Sequence, residues 1–242
     1  VVMVSSYTQE GSETAMRSLE LGAVDIIEKP KFEVREGLNE IAILITDKVK
    51  AAAQARMKTS RQIFLKTTPK VIVDEVLPKS NKIHKPSKQK PLIAIGVSNG
   101  GTKVLREILS SMPPDLPGIV IVQHMPKAFT GSFASSLDRV SELSIKEAEN
   151  GDMVESGKAL LAPGDAHMIL QSKGSEYQVK LDEGELVNRH RPAVDVLFRS
   201  VASIAGSAAV GVILTGMGND GAKGMTEMHD QVSLTLAQDQ ES

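Results

Sequence analysis

Short apolar runs alternate along this chain with amphipathic segments, and glycine-rich loops fall where the apolar runs end. A continuous apolar strand must be covered on both faces, and a strand–helix alternation supplies that cover by laying helices over a mostly parallel sheet. Residues 1–5 read as a strand, 12–21 as a helix closing on Gly22, 23–27 as a second strand, and 32–57 as a longer helix with Leu38, Ile41, Ile45 and Val49 on one face. After a break the alternation resumes, with strands at 91–97, 118–122 and 208–214 and helices at 101–109, 129–139, 192–205 and 222–229, followed by an apolar run at 232–236. Between 143 and 187 the segments are short and punctuated by Asn150-Gly151, Pro163-Gly164 and Glu183-Gly184, a pattern that predicts small antiparallel strands or hairpins. The expected class is α/β: residues 1–58 form half a domain that needs more strands, and 91–242 a mostly parallel, doubly wound sheet with right-handed crossovers.

The break itself, 59–90, reads as an interdomain linker. It carries Pro69, Pro78 and Pro86 and has little periodicity beyond Val71-Ile72-Val73. Residues 48–90 hold 12 Lys and Arg against Asp74 and Glu75, a local charge of +10 that leaves -12 for the rest of a chain whose net charge is -2. A basic stretch can grip nucleic acid or anionic lipid, but a solvated linker is the plainer reading, and 3% aromatics leave little for stacking on bases. Cysteine is absent, which removes disulfides, zinc thiolates, iron–sulfur clusters and thiol nucleophiles and fits a reducing cytoplasm. No apolar run approaches the roughly 18 residues of a membrane span, so membrane insertion is not expected. The chain opens at Val1-Val2-Met3-Val4 inside a strand and ends just after an apolar run, so it is expected to be an internal piece of a longer protein.

Chemistry in an open α/β sheet belongs at the carboxyl ends of the strands. Three loops there stand out. Gly96-Val97-Ser98-Asn99-Gly100-Gly101 follows a strand and opens a helix, matching G-x-S-x-G in the setting where a serine oxygen projects from a tight bend; a plain glycine turn or a phosphate-binding loop fits the same residues. Gln123-His124-Met125-Pro126 places an imidazole at the next strand end as a candidate general base, with His167 and His190 as rivals that spacing does not eliminate. Thr215-Gly216-Met217-Gly218-Asn219-Asp220-Gly221 offers Asp220 to orient such a histidine. The same loop satisfies G-x-G-x-x-G at Gly216, Gly218 and Gly221, with Asp239 near the distance of a ribose-binding acid, so dinucleotide binding is a rival. Asp220 in the turn that would approach a pyrophosphate speaks against it.

Taken in order, these loops with Ala162-Pro163-Gly164-Asp165 and the run Val187-Asn188-Arg189-His190-Arg191-Pro192-Ala193-Val194-Asp195 resemble the chemotaxis protein-glutamate methylesterases, the CheB family. Met3-Val4-Ser5-Ser6, Leu21-Gly22-Ala23-Val24-Asp25 and Glu28-Lys29-Pro30 resemble the second half of that family's flavodoxin-like receiver domain. The resemblance implies a Rossmann-like catalytic domain at 91–242. It implies Ser98 as nucleophile, His124 as general base and acid, Asp220 as orienting carboxylate, and oxyanion support near Asn99 and Met217. Ser5 and Lys29 would be the receiver's switch residues, the Lys29-Pro30 bond being commonly cis in the family. No cofactor is implied for catalysis, and Mg2+ only for phosphorylation of a complete receiver. The implied partners are methylated chemoreceptor helices as substrate and a chemotaxis histidine kinase as phosphodonor; some members also deamidate receptor glutamines. Two departures bear on this. The family's Ser-Thr-Gly-Gly is Ser98-Asn99-Gly100-Gly101 here, for which an altered rate is expected, and its Ala-Gly turn before the last strand is replaced within His229-Asp230-Gln231-Val232. A nucleotide-binding domain and a non-catalytic module that binds receptor helices without turnover remain the competing classes. The strand at 232–236 is expected to leave the sheet with an open edge.

Overall fold

The computed structural model of the chain describes residues 2–5, 25–28, 71–79, 90–98, 101–214 and 218–239, with isolated positions at 14, 18, 23, 45–46 and 49–50. The chain divides into two units, Val1–Thr68 and Pro69–Ser242. In the first, β1 (Val2–Ser5) and β2 (Asp25–Glu28) pair in parallel, with Ser5 opposite Glu28 and with Ile26 and Ile27 buried. The expected helices at 12–21 and 32–57 and the switch residue Lys29 lie outside the described residues, apart from isolated helical positions.

In the second unit six parallel strands stand in the order β11-β10-β3-β4-β7-β5. They are β3 (Leu92–Val97), β4 (Gly118–Gln123), β5 (Ser144–Glu147), β7 (Lys158–Leu161), β10 (Ala209–Ile213) and β11 (Leu234–Ala237). From β3 the chain passes to β4 on one side, and it later continues from β10 to β11 on the other. The crevice between the ends of β3 and β10 is therefore the switch point of the sheet, and right-handed crossovers put the helices after β3 and after β10 on opposite faces. All six residues of β4 are buried, as its unbroken apolar run requires. The helices are α1 (Val73–Val76), α2 (Gly101–Ser111), α3 (Lys127–Asp138), α4 (Val194–Ile204) and α5 (Ala222–Asp230).

The segment 143–187 departs from the expected hairpins. Only β8 (His167–Lys173) and β9 (Glu176–Asp182) form one, extended by β6 (Met153–Val154), whereas β5 and β7 join the main sheet in parallel. Ala159, Leu160 and Leu161 are buried beside β4, and that two-sided burial outweighs the local turn signals. The linker expected at 59–90 also differs over part of its length, because α1 docks on the larger unit. Val73 is buried with Val187, Ala193 and Val196, and the Asn188 backbone N–H donates to the Val71 carbonyl at 3.1 Å. Within the apolar run Val71-Ile72-Val73 the buried anchor is Val73, with Val76 packed beside it, while Ile72 is exposed.

β11 pairs with β10 alone among the described residues, with Leu234 and Leu236 exposed. The turn before it holds Val232 at φ 65, a left-handed conformation that costs a β-branched residue about 1–2 kcal/mol and that a glycine would adopt freely. The departure at 229–232 thus falls on a strained residue.

α4 crosses β3 at close range. A Cβ on Gly96 would stand 2.3 Å from Val194 Cγ1 and 3.1 Å from Phe198 Cζ, both side chains being fully buried. Gly96→Ala is expected to destabilise the unit by about 1–3 kcal/mol in denaturant unfolding, by forcing the first turn of α4 off the strand. An unchanged midpoint would show that Val194 can swing aside.

Candidate active site

Ser98 follows β3, His124 follows β4, and Asp220 lies in the loop between β10 and α5. Ser98 Oγ is 3.1 Å from His124 Nδ1, and His124 Nε2 is 2.8 Å from Asp220 Oδ2. The His124 side chain is 7% exposed and that of Asp220 3%, so the pair is shielded from water, where its attraction would be weak. Below the serine, the Gln123 amide donates to the Ser98 carbonyl at 3.1 Å, as does the Gly101 N–H, also at 3.1 Å, and these two donors fix the bend between β3 and α2.

Asp220 collects four donors. Oδ2 accepts from His124 Nε2 and from the Val194 N–H at 2.8 Å; Oδ1 accepts from Asn188 Nδ2 at 2.8 Å and from the Asp195 N–H at 3.2 Å. Two of these are free N–H groups of the first turn of α4, so Asp220 caps that helix from another loop. Burial alone would raise its pKa. The hydrogen bond and charge of His124, with Asn188 and the Val194 N–H, more than reverse this and bring the carboxyl from 3.8 to about 2. An ionised carboxylate only accepts, so the His124 proton resides on Nε2, and Nδ1 is left to accept from the Ser98 hydroxyl. This wiring exchanges the two ring nitrogens relative to the chymotrypsin arrangement, where the carboxylate takes Nδ1.

The capping is reciprocal. Asp195, in the first turn of α4, accepts from the Gly221 N–H at 3.0 Å and the Gly224 N–H at 2.8 Å, and so caps α5. Burial pushes its pKa up, and the neighbouring Asp220 charge adds to that. Gly221 has φ 98, and a Cβ there would stand 2.7 Å from Ile213 and 2.8 Å from Val194, so glycine is required on both counts.

The rival histidines take other roles. His167 is fully buried, its Nε2 donating to the Glu185 carbonyl at 2.8 Å and its Nδ1 accepting from the Ala193 N–H at 3.1 Å; burial lowers its pKa and keeps it neutral. His190 stacks on His124, with ring centroids 3.8 Å apart and planes 7° from parallel. Asn99 and Met217 lie outside the described residues, as does Gly216 of the dinucleotide-like pattern. The carboxylate of that loop is turned inward, where it accepts from His124 and from the Val194 N–H of α4. Two site residues were not singled out by the sequence reading: Asn188, which bridges both carboxylates, and His190 as a ring stacked on the base. Both lie in the run 187–195 that carries part of the family resemblance, and that run, leading into an amphipathic helix, was the signal that could have pointed to them.

Because Asp220 ionises far more readily in the folded chain than its ordinary value of 3.8, its contribution is complete above about pH 4 and is lost as the pH falls toward about 2. At 1.36 kcal/mol per pH unit this is about 2 kcal/mol. Acid titration of stability is expected to fall less steeply in Asp220→Asn than in the unsubstituted chain; parallel curves would show that the carboxylate gains nothing on folding.

A serine hydroxyl, an imidazole and a buried carboxylate in series at the switch point of a parallel sheet define an α/β protein carrying the side-chain set of serine hydrolases. Comparison with known proteins narrows this class. The CheB methylesterase family profile matches residues 93–242. The chain is 46% identical over 240 residues to protein-glutamate methylesterase/protein-glutamine glutaminase 2 of Oleidesulfovibrio alaskensis, covering 99% of this chain and 67% of that protein. It is 50% identical over 242 residues to protein-glutamate methylesterase/protein-glutamine glutaminase of Yersinia pestis bv. Antiqua, covering all of this chain and 66% of the relative. Thus the chain spans about two-thirds of the length of the curated relatives it matches. The crystal structure of the Thermotoga maritima CheB methylesterase catalytic domain superposes with a TM-score of 0.62 at 41% identity, over 63% of this chain and 82% of that one. The chain belongs to the CheB methylesterase family.

Proposed function

We propose that this protein hydrolyses glutamyl methyl esters on bacterial chemoreceptors to glutamate and methanol, with Ser98, His124 and Asp220 as its catalytic residues. The hydrogen-bonded series from Ser98 Oγ through both nitrogens of His124 to Asp220 carries this reading, in a chain whose relatives bear methylesterase and glutaminase names. Ser98 Oγ attacks the ester carbonyl as its proton passes to His124 Nδ1. Backbone N–H groups near Ser98 and Met217, with Asn99 beside them, would hold the oxyanion. Collapse breaks the acyl–oxygen bond, and methoxide leaves as methanol with the proton from His124. Water then attacks the acyl-enzyme, giving its proton to His124; the acyl–Oγ bond breaks as His124 returns that proton to Ser98 Oγ, with glutamate as product. Asp220 stays ionised throughout and stabilises the imidazolium. A receptor glutamine would follow the same course with ammonia as leaving group.

No cofactor takes part in these steps. Residues 1–58 are the second half of a receiver domain whose phosphorylation by a chemotaxis histidine kinase regulates the esterase, with Ser5 and Lys29 as switch residues. Phosphorylation of a complete receiver would use Mg2+. Among the described residues no group of three or more His, Asp or Glu is gathered to hold a metal. The proposed location is the cytoplasm. Among the described residues no helix is long and apolar enough to cross a membrane.

The test is release of methanol, and of ammonia from glutamine sites, when the full-length protein is incubated with methyl-esterified chemoreceptor membranes. Methanol release is the expected result. A folded protein that releases none, before or after treatment with a phosphodonor, would favour a module that binds receptor helices without turnover.

A further inference from the structure

The turn 187–190 sits beside the site but has no part in the steps above. Val187 N–H donates to the His190 carbonyl at 3.1 Å and His190 N–H to the Val187 carbonyl at 2.8 Å, while Asn188 and Arg189 have φ of 54 and 69. This is a two-residue hairpin turn of the primed kind, which needs left-handed backbone at both central positions. Asn accepts that conformation readily and Arg does not, so Arg189 stores strain of about 1–2 kcal/mol at the edge of the site. The turn is held firmly enough to bear it. Val187 is fully buried against Val73, Ala193 and Val196, and the Asn188 N–H is fastened to the Val71 carbonyl.

The turn aims one group inward. Asn188 Nδ2 stands 2.7 Å from Asp195 Oδ2 and 2.8 Å from Asp220 Oδ1, so the two hydrogens of one NH2 serve one carboxylate each. The amide cannot be reversed, since its oxygen would then face two carboxylates. Asp220 caps α4, which carries Asp195, and Asp195 caps α5, which follows Asp220; the Asn188 amide is the side-chain donor they share. Without it two buried negative groups would face each other, and Asp220 could turn away from His124 to relieve the repulsion.

We propose that Asn188 is a positioning residue of the hydrolysis, its clamped NH2 group tying Asp220 to Asp195 and so fixing the Asp220 carboxylate against His124 Nε2. This rests on the esterase reading above. The test compares Asn188→Gly and Asn188→Asp in the full-length protein. Gly keeps the turn, being free at positive φ, but has no amide; Asp keeps size and turn tolerance but replaces the donor with a third carboxylate. For Asn188→Gly the expected kcat for methanol release is about 10–100-fold lower with KM little changed, and for Asn188→Asp lower still. In both, the low-field proton on His124 Nε2, read by 15N-edited NMR without substrate, should broaden or vanish. Unchanged kcat in either folded variant would overturn the proposal. So would a kcat that falls only as folded protein is lost while that proton persists. Should Asn188→Gly not fold, Asn188→Asp decides by the same two readings. The NMR arm separates the two failures: a folded, unsubstituted protein that releases no methanol while its His124 proton still depends on residue 188 sinks the esterase reading alone, whereas a His124 proton indifferent to residue 188 sinks the positioning role alone.

Discussion

Ser98→Ala is expected to lower methanol release from methylated receptor membranes at least about 10³-fold, with the circular dichroism spectrum unchanged. The Ser98 oxygen is the atom that forms the acyl bond, and among the described residues it is the hydroxyl hydrogen-bonded to His124. Gln123 and Gly101 grip the Ser98 carbonyl, which alanine retains, so the bend and the fold should survive. Asp220→Asn acts differently. The nucleophile and the oxyanion donors stay, but an amide does not oblige His124 to keep its proton on Nε2. In the other tautomer Nδ1 carries the proton and faces Ser98 as a donor, unable to accept. The loss should be large but about 10–100-fold milder than that of Ser98→Ala. Ser98→Ala with retained turnover would remove Ser98 as nucleophile. Asp220→Asn at the unsubstituted rate would transfer the orienting role to another acid, for which Asp195, buried and tied to the same Asn188 amide, is a candidate.

What could be read from sequence divides along a physical line. Strands such as 118–122 are apolar without interruption because both faces are covered, and that pattern is local to the chain; so is the rule that chemistry gathers at strand ends, which led to the loops of Ser98, His124 and Asp220. The parallel insertion of β5 and β7 was not legible, because partner choice in a sheet is decided by contacts distant in sequence. Selection among His124, His167 and His190 was equally closed to spacing and came only with the family resemblance. In the structure it rests on which ring lies between a hydroxyl and a carboxylate, and which has both nitrogens already taken by backbone groups. Asn188 escaped notice for the same reason: two carboxylates 25 residues apart meet at its amide only after α4 and α5 have packed. The docked α1 was hidden by composition, since prolines and lysines around Val71-Ile72-Val73 read as linker while buried Val73, with Val76 packed beside it, suffices to anchor one turn of helix.

The buried charge beneath that helix yields the largest expected effect on stability. Arg199, on α4, is fully buried; its Nε donates to Glu227 Oε2 at 2.7 Å, its Nη2 to Glu227 Oε1 and to Asp74 Oδ1, and its Nη1 to the Leu77 carbonyl at 2.6 Å. Burial opposes the charge, but Glu227 and Asp74 outweigh it and raise the pKa further, so the guanidinium stays charged. Lys223 closes the network on Asp74. One cation therefore joins α4 to α5 and both to the segment around α1. Glu227→Ala would leave that cation in the interior with one half-exposed carboxylate and one carbonyl. The expected cost is about 3–5 kcal/mol in denaturant unfolding, because an uncompensated buried charge is penalised more than the pair was ever worth. The double variant Arg199→Met with Glu227→Leu removes both charges at similar volume, and it should recover most of that loss. A Glu227→Ala chain as stable as the original would mean that water or Asp74 re-pairs the guanidinium. A double variant no better than the single one would mean that the network contributes net stability of its own, through Leu77 and Asp74, and not only relief of a charge placed where no charge should stand alone.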